Sequence, residues 1–246
     1  MRKRLAAIAR STTFIDSARR KALLADLEAQ QQAITGPIAR ADPALAVELL
    51  AAGRAEQALA VLDGAAKACE RLEALDRREE AQQHRWRVFS ATLSIPLLRD
   101  YLKRLDDFAD VEAAESAFAL VEAHQRPLAA LQCLVFWPAL PRAARYVIAH
   151  RQAWDGEAYG LYEPAAERLT GGHPLAATVL LRAMVLFALA MGRSKRYRYA
   201  AEHLRQREQR EARIDHWQGL DSHTCFVGTL REVYARSWGF WQLLEP

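Results

Sequence analysis

The sequence predicts an all-α protein made of stacked antiparallel helical hairpins, and three observations carry that prediction. Alanine is abundant while runs of Val, Ile and Thr are nearly absent, so the β-branched alternation of strands is missing. Residues that start and stop helices recur densely along the chain. Between them, apolar residues stand three and four apart in segments of about 10 to 20 residues, the spacing that gives each helix one buried face.

In chain order, MRKRLAAIARSTTF begins with basic residues, but its apolar stretch is short and interrupted by Arg10. That pattern is a short amphipathic helix and not a secretory signal. It belongs to a set of N-terminal helices over residues 1–40, closed by Gly36-Pro37. Asp42-Pro43 then opens an array over 41–246, with an N-cap followed by proline in the first turn. Gly53 and Gly64 are expected as stops or turns, and the acid pair Glu79-Glu80 at a turn or helix start, where carboxylates favour the helix dipole. Ser94-Ile95-Pro96 marks a further start, and Leu93, Leu97, Leu98, Tyr101, Leu102 and Leu105 form one apolar stripe. Asp106-Asp107 likewise falls at a turn or helix start, and Asp110 ahead of Val111-Glu112 opens the next helix. Gly171-Gly172 stops a helix and His173-Pro174 starts another. Asp221-Ser222 reads as the N-cap of a helix running to Trp238, inside a C-terminal cap at about 220–246. The whole of 1–246 is expected as a single helical-repeat domain.

Composition narrows the function classes. With 51% apolar residues in 246, the chain can bury a sizeable core. Its net charge of +4, from 34 basic and 30 acidic residues, is too balanced for a dedicated nucleic-acid binder. The longest apolar run, Pro174 to Met191, is broken by Arg182 and barely reaches the ~20 residues of a bilayer span. It is expected as a central buried helix, with no membrane contact. Cys69, Cys133 and Cys225 are odd in number and far apart, which indicates neither a disulfide framework nor a zinc knuckle. They fit a reducing compartment, and the expected location is the cytoplasm.

Self-similarity sharpens the architecture. LLAAGRAEQALAVLDGA (Leu49 to Ala65) recurs in outline as LEALDRREEAQQHRWRVF (Leu72 to Phe89), with Glu56 and Ala58 in register with Glu79 and Ala81. The tetrapeptide PLAA opens a helix at Pro127 and again at Pro174. MGRSKRYRYAAEHL (Met191 to Leu204) repeats the first turn: Gly-Arg, a few polar residues, then an Ala pair and Leu. Glycine accepts the positive φ at the end of one helix, and alanine lets the next approach closely. Units of this kind bury their faces on one another, so the expectation is a degenerate tetratricopeptide-like α-solenoid.

The ordered blocks LLAAGRAEQALAVLDGA, LRDYLKRLDDFADVEAAESAFALVEAH, PLAALQCLVFWPALPRAARYVI, YEPAAERLTGGHPLAATVLLRAMVLFAL and GRSKRYRYAAEHL resemble an uncharacterised, mainly proteobacterial family of helical-repeat proteins. The resemblance covers about Leu49 to Leu244 and implies a tetratricopeptide-like fold with no assigned activity and no site residues. Two departures stand out. Leu50 runs straight into Ala51 where the family has a further helical region, so this chain resembles a shortened member. Arg205 to Glu211 is polar where apolar residues would continue the buried stripe.

Candidate chemistry centres on the basic stretch. From Gly192 to Trp217, eight Lys or Arg stand against four acids. Arg193, Lys195, Arg196 and Arg198 gather around a turn with Tyr197 and Tyr199 between them, a pattern that suits phosphate contact with stacked bases. Against this, Tyr197, Ala200, Ala201 and Leu204 follow the spacing of a buried face, and Arg205–Glu208 and Arg207–Glu211 neutralise charge locally. A solvated helix is the favoured reading. Asp215, His216, Asp221, His223 and Cys225, with His203 upstream, match no familiar metal spacing. Neither a GxSxG elbow, a phosphate loop, HExxH nor GxGxxG is present, and Cys133 sits in an apolar helix, so no catalysis, metal or cofactor is expected. Trp217, Trp238, Phe240 and Trp241 concentrate aromatics near the C-terminus, where they cap the last repeat or, left uncovered, form a partner patch.

The functional expectation is a non-catalytic protein-interaction module that holds a peptide or helix of another protein, or of a second copy, on its repeat surface. The alternative is a nucleic-acid-associated factor using the turn at Arg193 to Arg198.

Overall fold

The computed structural model describes residues 46–49, 54–205 and 213–244. The expectations placed on 1–40, Asp42-Pro43, Leu50-Ala51, Gly53 and the polar run 206–211 lie outside the described residues. The described residues are helical, with no strand among them. The chain divides into two compact units, Met1–Thr92 and Leu93–Pro246.

The first unit contains a short helical segment at 46–49, then α1 (Ala55–Ala74) and α2 (Arg78–Thr92), which pack on each other. Ala58, Ala65 and Cys69 of α1 are buried at helical spacing, as are Ala81, Arg85, Val88 and Phe89 of α2. Gly64, expected as a stop, lies within α1. A glycine inside a helix costs only about 1 kcal/mol, which a packed face of small residues on either side offsets.

The recurrence between Leu49–Ala65 and Leu72–Phe89 has a structural counterpart. The Arg54 amide donates to the Leu49 carbonyl at 2.8 Å, and the Arg77 amide donates to the Leu72 carbonyl at 2.8 Å. Both bonds span five residues, closing a helix end so that the next helix can start. Asp76 provides the left-handed residue of the second closure, at φ 56. Across this hairpin the fully buried Arg85 donates to Glu73 at 2.8 Å. Its charge is thus met by an acid near the end of α1.

The second unit contains α3 (Ile95–Leu102), α4 (Ala109–Glu122), α5 (Pro127–Phe136), α6 (Leu140–Ala149), α7 (Tyr159–Thr170) and α8 (Pro174–Ala190). A single 3-10 turn at Ser194–Arg196 leads into α9 (Tyr197–Arg205), and α10 (His223–Val233) and α11 (Trp238–Trp241) follow. Both PLAA segments open helices, with Pro127 and Pro174 in the first turn where a missing amide costs nothing. Helix α4 begins at Ala109, one residue before the expected Asp110. Each helix from α3 to α9 packs on its neighbour in sequence, apart from the weaker succession α6 to α7. Further contacts join α5 to α7 and α6 to α8.

Helix α8 is the centre of this unit, packed by α6, α7 and α9. That is why it is apolar almost all round, with twelve of its residues buried. No helix among the described residues is long and apolar enough to cross a membrane. Arg182, the residue that interrupts the run, is 8% exposed. Its guanidinium lies 5.1 Å from the Trp217 ring and 4.4 Å from the Phe226 ring, and donates to the Asp221 carbonyl at 2.8 Å. The arginine therefore fastens the segment after 213 onto the central helix.

Ser222 caps α10 as expected, accepting from the Cys225 amide at 3.4 Å. The helix does not run to Trp238, however, but ends at Val233. The break re-aims the last aromatics: Trp241 Nε1 donates to the Tyr234 carbonyl at 2.9 Å, and Phe240 and Trp241 enter a core with Ala200, Leu204, Phe226 and Leu230.

Candidate functional site

The basic turn is assembled by the end of α8. Gly192 takes φ +58, the Arg193 amide donates to the Ala188 carbonyl at 2.9 Å and the Gly192 amide to that of Leu189 at 3.2 Å. This is the helix-ending closure expected from the Gly-Arg pair, and it repeats the five-residue bond seen at Arg54. From it, α9 turns its Ala200, Ala201 and Leu204 face inward, while Tyr197 packs edge-on to Phe240 at 5.7 Å.

The four expected cations come together on this turn. Arg193, Lys195 and Arg198 are exposed and Arg196 is half-buried. Two of them lie over aromatic rings: Arg196 is 4.2 Å from the Tyr159 ring and 5.7 Å from that of Tyr199, and Arg193 is 5.9 Å from that of Phe187. Tyr159 meets Phe187 edge to face at 6.0 Å. Burial raises the Tyr159 phenol above its ordinary pKa, with the two guanidinium groups opposing the shift. Among the described residues none of the four cations pairs with a carboxylate.

Tyr159 is positioned by a loop that sequence reasoning passed over. Trp154 is buried and donates to the Val147 carbonyl at 2.9 Å. Asp155 accepts from the Glu157 amide at 2.9 Å and from the Tyr162 hydroxyl at 3.2 Å. Burial, followed by the charge of Asp155, pushes the Tyr162 phenol well up. Gly156 rests on the backbone of α8 at φ +82, where an added Cβ would stand 2.1 Å from the Ala183 carbonyl oxygen.

Beyond Tyr199 the surface changes sign. A groove of about 450 Å³ runs between α7 and α9, lined by Glu163, Glu167 and Thr170 on one side and by Tyr199, Glu202 and His203 on the other, with Leu181 of α8 also lining it. Glu163, Glu167 and Thr170 are spaced to share one face of α7, and Tyr199, Glu202 and His203 to share one face of α9. Glu202 lies 3.9 Å from Arg205, whereas Glu163 and Glu167 pair with no cation among the described residues. Tyr199 is 54% exposed and borders both the groove and the basic turn.

The remaining sequence candidates scatter. Of the aromatic group, Phe240 and Trp241 are buried, Trp217 is half-buried beneath Arg182, and Trp238 is 74% exposed. Asp215, His216, Asp221 and Cys225 are exposed, His223 is buried against Phe226, and His203 faces the groove. Among the described residues no three His, Cys, Asp or Glu side chains converge as a metal site. Cys133 is buried, which raises its thiol to about 11 and leaves it protonated at neutral pH.

A family model described as a family of unknown function, DUF6880, matches residues 1–63 and 49–243. The two stretches share 49–63, the neighbourhood where the sequence resembles a shortened chain. No curated protein and no solved structure matches.

Proposed function

The chain belongs to DUF6880, a family of unknown function, and we propose that it is a non-catalytic protein-interaction module whose α7–α9 groove holds a peptide or helix of another protein. The observation that carries this reading is the groove itself, a concavity of about 450 Å³ with Leu181, an exposed Tyr199, and Glu163 and Glu167, which pair with no cation among the described residues. Such a site selects an occupant bearing Lys or Arg, with an apolar side chain toward Leu181. The packing of helices on first and second neighbours from α3 to α9 supports a tetratricopeptide-like repeat array as the scaffold.

Nucleic-acid contact is the second reading, favoured by the four cations of the basic turn, which lack carboxylate partners among the described residues. The glutamates across Tyr199 weigh against it, because a phosphate backbone laid along α9 would meet them.

Affinity purification of the tagged chain from lysate, with and without nuclease, separates the two. The expected result is a discrete protein that survives nuclease, is lost with the pair Glu163→Lys and Glu167→Lys, and is kept with Lys195→Glu and Arg198→Glu. Recovery abolished by nuclease and by the Lys195 and Arg198 reversals, but not by those at the glutamates, would replace the groove with the basic turn.

A further inference from the structure

The loop ahead of α4 carries a second unexplained surface. Phe108 is 88% exposed at φ +73, a left-handed conformation in which a bulky side chain is disfavoured, and no burial in this copy offsets that cost. Val111 is 62% exposed beside it. Asp106, Asp107, Asp110 and Glu112, all exposed, lie within four residues of Phe108 in the chain, and none of them pairs with a cation among the described residues. Asp110 spends one oxygen on the Val111 amide at 2.8 Å. The result is an exposed apolar pair among exposed acids.

The same unit carries the inverse surface. The turn from Arg193 to Arg198 presents cations without carboxylate partners among the described residues, flanked by Met191 at 57% and Tyr199 at 54% exposure. The tip and the turn stand at opposite ends of the packing order α3, α4, α5, α7, α8, α9. We propose that the acidic Phe108 tip of one molecule docks onto the basic Arg193–Arg198 turn of a second copy. The match is one of charge and of exposed apolar groups: carboxylates meet guanidinium and ammonium groups, and Phe108 meets the rim of Met191 and Tyr199. Because the two patches differ, the contact is head-to-tail and leaves a free tip at one end and a free turn at the other. Tyr199 is shared with the groove, but Glu163 and Glu167 take no part in the contact, so their reversal tests the groove reading alone and the two proposals fail separately.

The test is the molar mass of the full chain by sedimentation over a range of concentrations, at about 0.1 M and about 1 M salt, where charges are screened over about 10 Å and about 3 Å. The wild type is expected to rise with concentration to about twice its 27.7 kDa monomer mass or beyond at the lower salt, and to fall back at the higher. A tip variant, Asp107→Lys with Phe108→Gly, keeps the left-handed backbone accessible. A turn variant, Lys195→Glu with Arg198→Glu, changes only exposed side chains. Each is expected to remain monomeric alone, and a mixture of the two to pair through the one intact tip and the one intact turn and to stop at a dimer. A wild type that stays monomeric, an association that survives either variant, or a mixture that does not pair would overturn the proposal.

Discussion

Gly156 shows how much one residue can decide. Its positive φ alone would tax any other side chain by about 1–2 kcal/mol, but its backbone also lies against α8, with the Ala183 carbonyl carbon 2.5 Å and Phe187 Cβ 2.7 Å from where a Cβ would stand. Carbonyl backbone cannot rotate away as the end of a flexible side chain can, so the loop itself would have to move. Gly156→Ala is therefore expected to cost about 3 kcal/mol or more in urea unfolding. Gly192→Ala, at φ +58 in open space, should cost about 1 kcal/mol. Equal losses at the two positions would show that the dihedral, and not the contact with α8, is what matters. Nothing in AWDGEAYG announces this, because the clash is with a helix some thirty residues further along the chain. The Gly192 closure was legible, since it depends only on the helix it ends.

At the scale of the element, the α1–α2 hairpin gains a pH dependence from where His84 sits. The imidazole is buried, its Nδ1 lies 2.6 Å from Arg87 Nη2, and Arg85 is its other cationic neighbour. Burial lowers its pKa first, and Arg87 and Arg85 lower it further. As the folded pKa lies below the unfolded value of about 6.5, the stabilisation is full above that pH and is lost as pH falls through it toward the folded value. Protonation would also remove the acceptor for Arg87. In urea titrations between pH 8 and pH 5, the wild type should lose stability with acidification more steeply than His84→Gln. Identical slopes would sink the assignment to His84. Legibility at this scale followed the range of the interaction. The starts at Pro96, Pro127 and Pro174 and the Ser222 cap are set within one turn of chain and were readable. The continuity of α1 through Gly64 and the break after Val233 are decided by what the helix packs on. Trp238 belongs in a continued helix by spacing alone, yet α10 ends before it, and Phe240 and Trp241 fill the core beside Ala200 and Leu204.

For the whole molecule, each unit carries a buried thiol that reports on it. Cys69 is buried in the first and Cys133 in the second, while Cys225 is exposed. Cys225 is expected to react with a thiol reagent at once, and the other two only as their units open. The described core of the first unit is one hairpin and the short segment at 46–49, with a buried ion pair, whereas Cys133 lies on α5, packed by α4, α6 and α7. Labelling across a urea series should thus reach Cys69 at a lower concentration than Cys133. The reverse order, read by mass spectrometry, would show that the first unit is the more stable. The candidate site was half legible. Arg193 to Arg198 could be read as one cationic turn because those residues are consecutive. The glutamate groove could not, because its walls are stripes on α7 and α9 that become neighbours only through α8. By itself the sequence determined the helical class, most helix starts, the inward face of α9 and the closure at Gly192, all of which arise from backbone propensity and side-chain periodicity within a few residues. The tertiary structure decided which stripes face each other, that Arg182 clamps the C-terminal segment, and that Phe240 and Trp241 are core while Trp238 is exposed. Those outcomes depend on contacts between residues distant in the chain, whose energies no local pattern records.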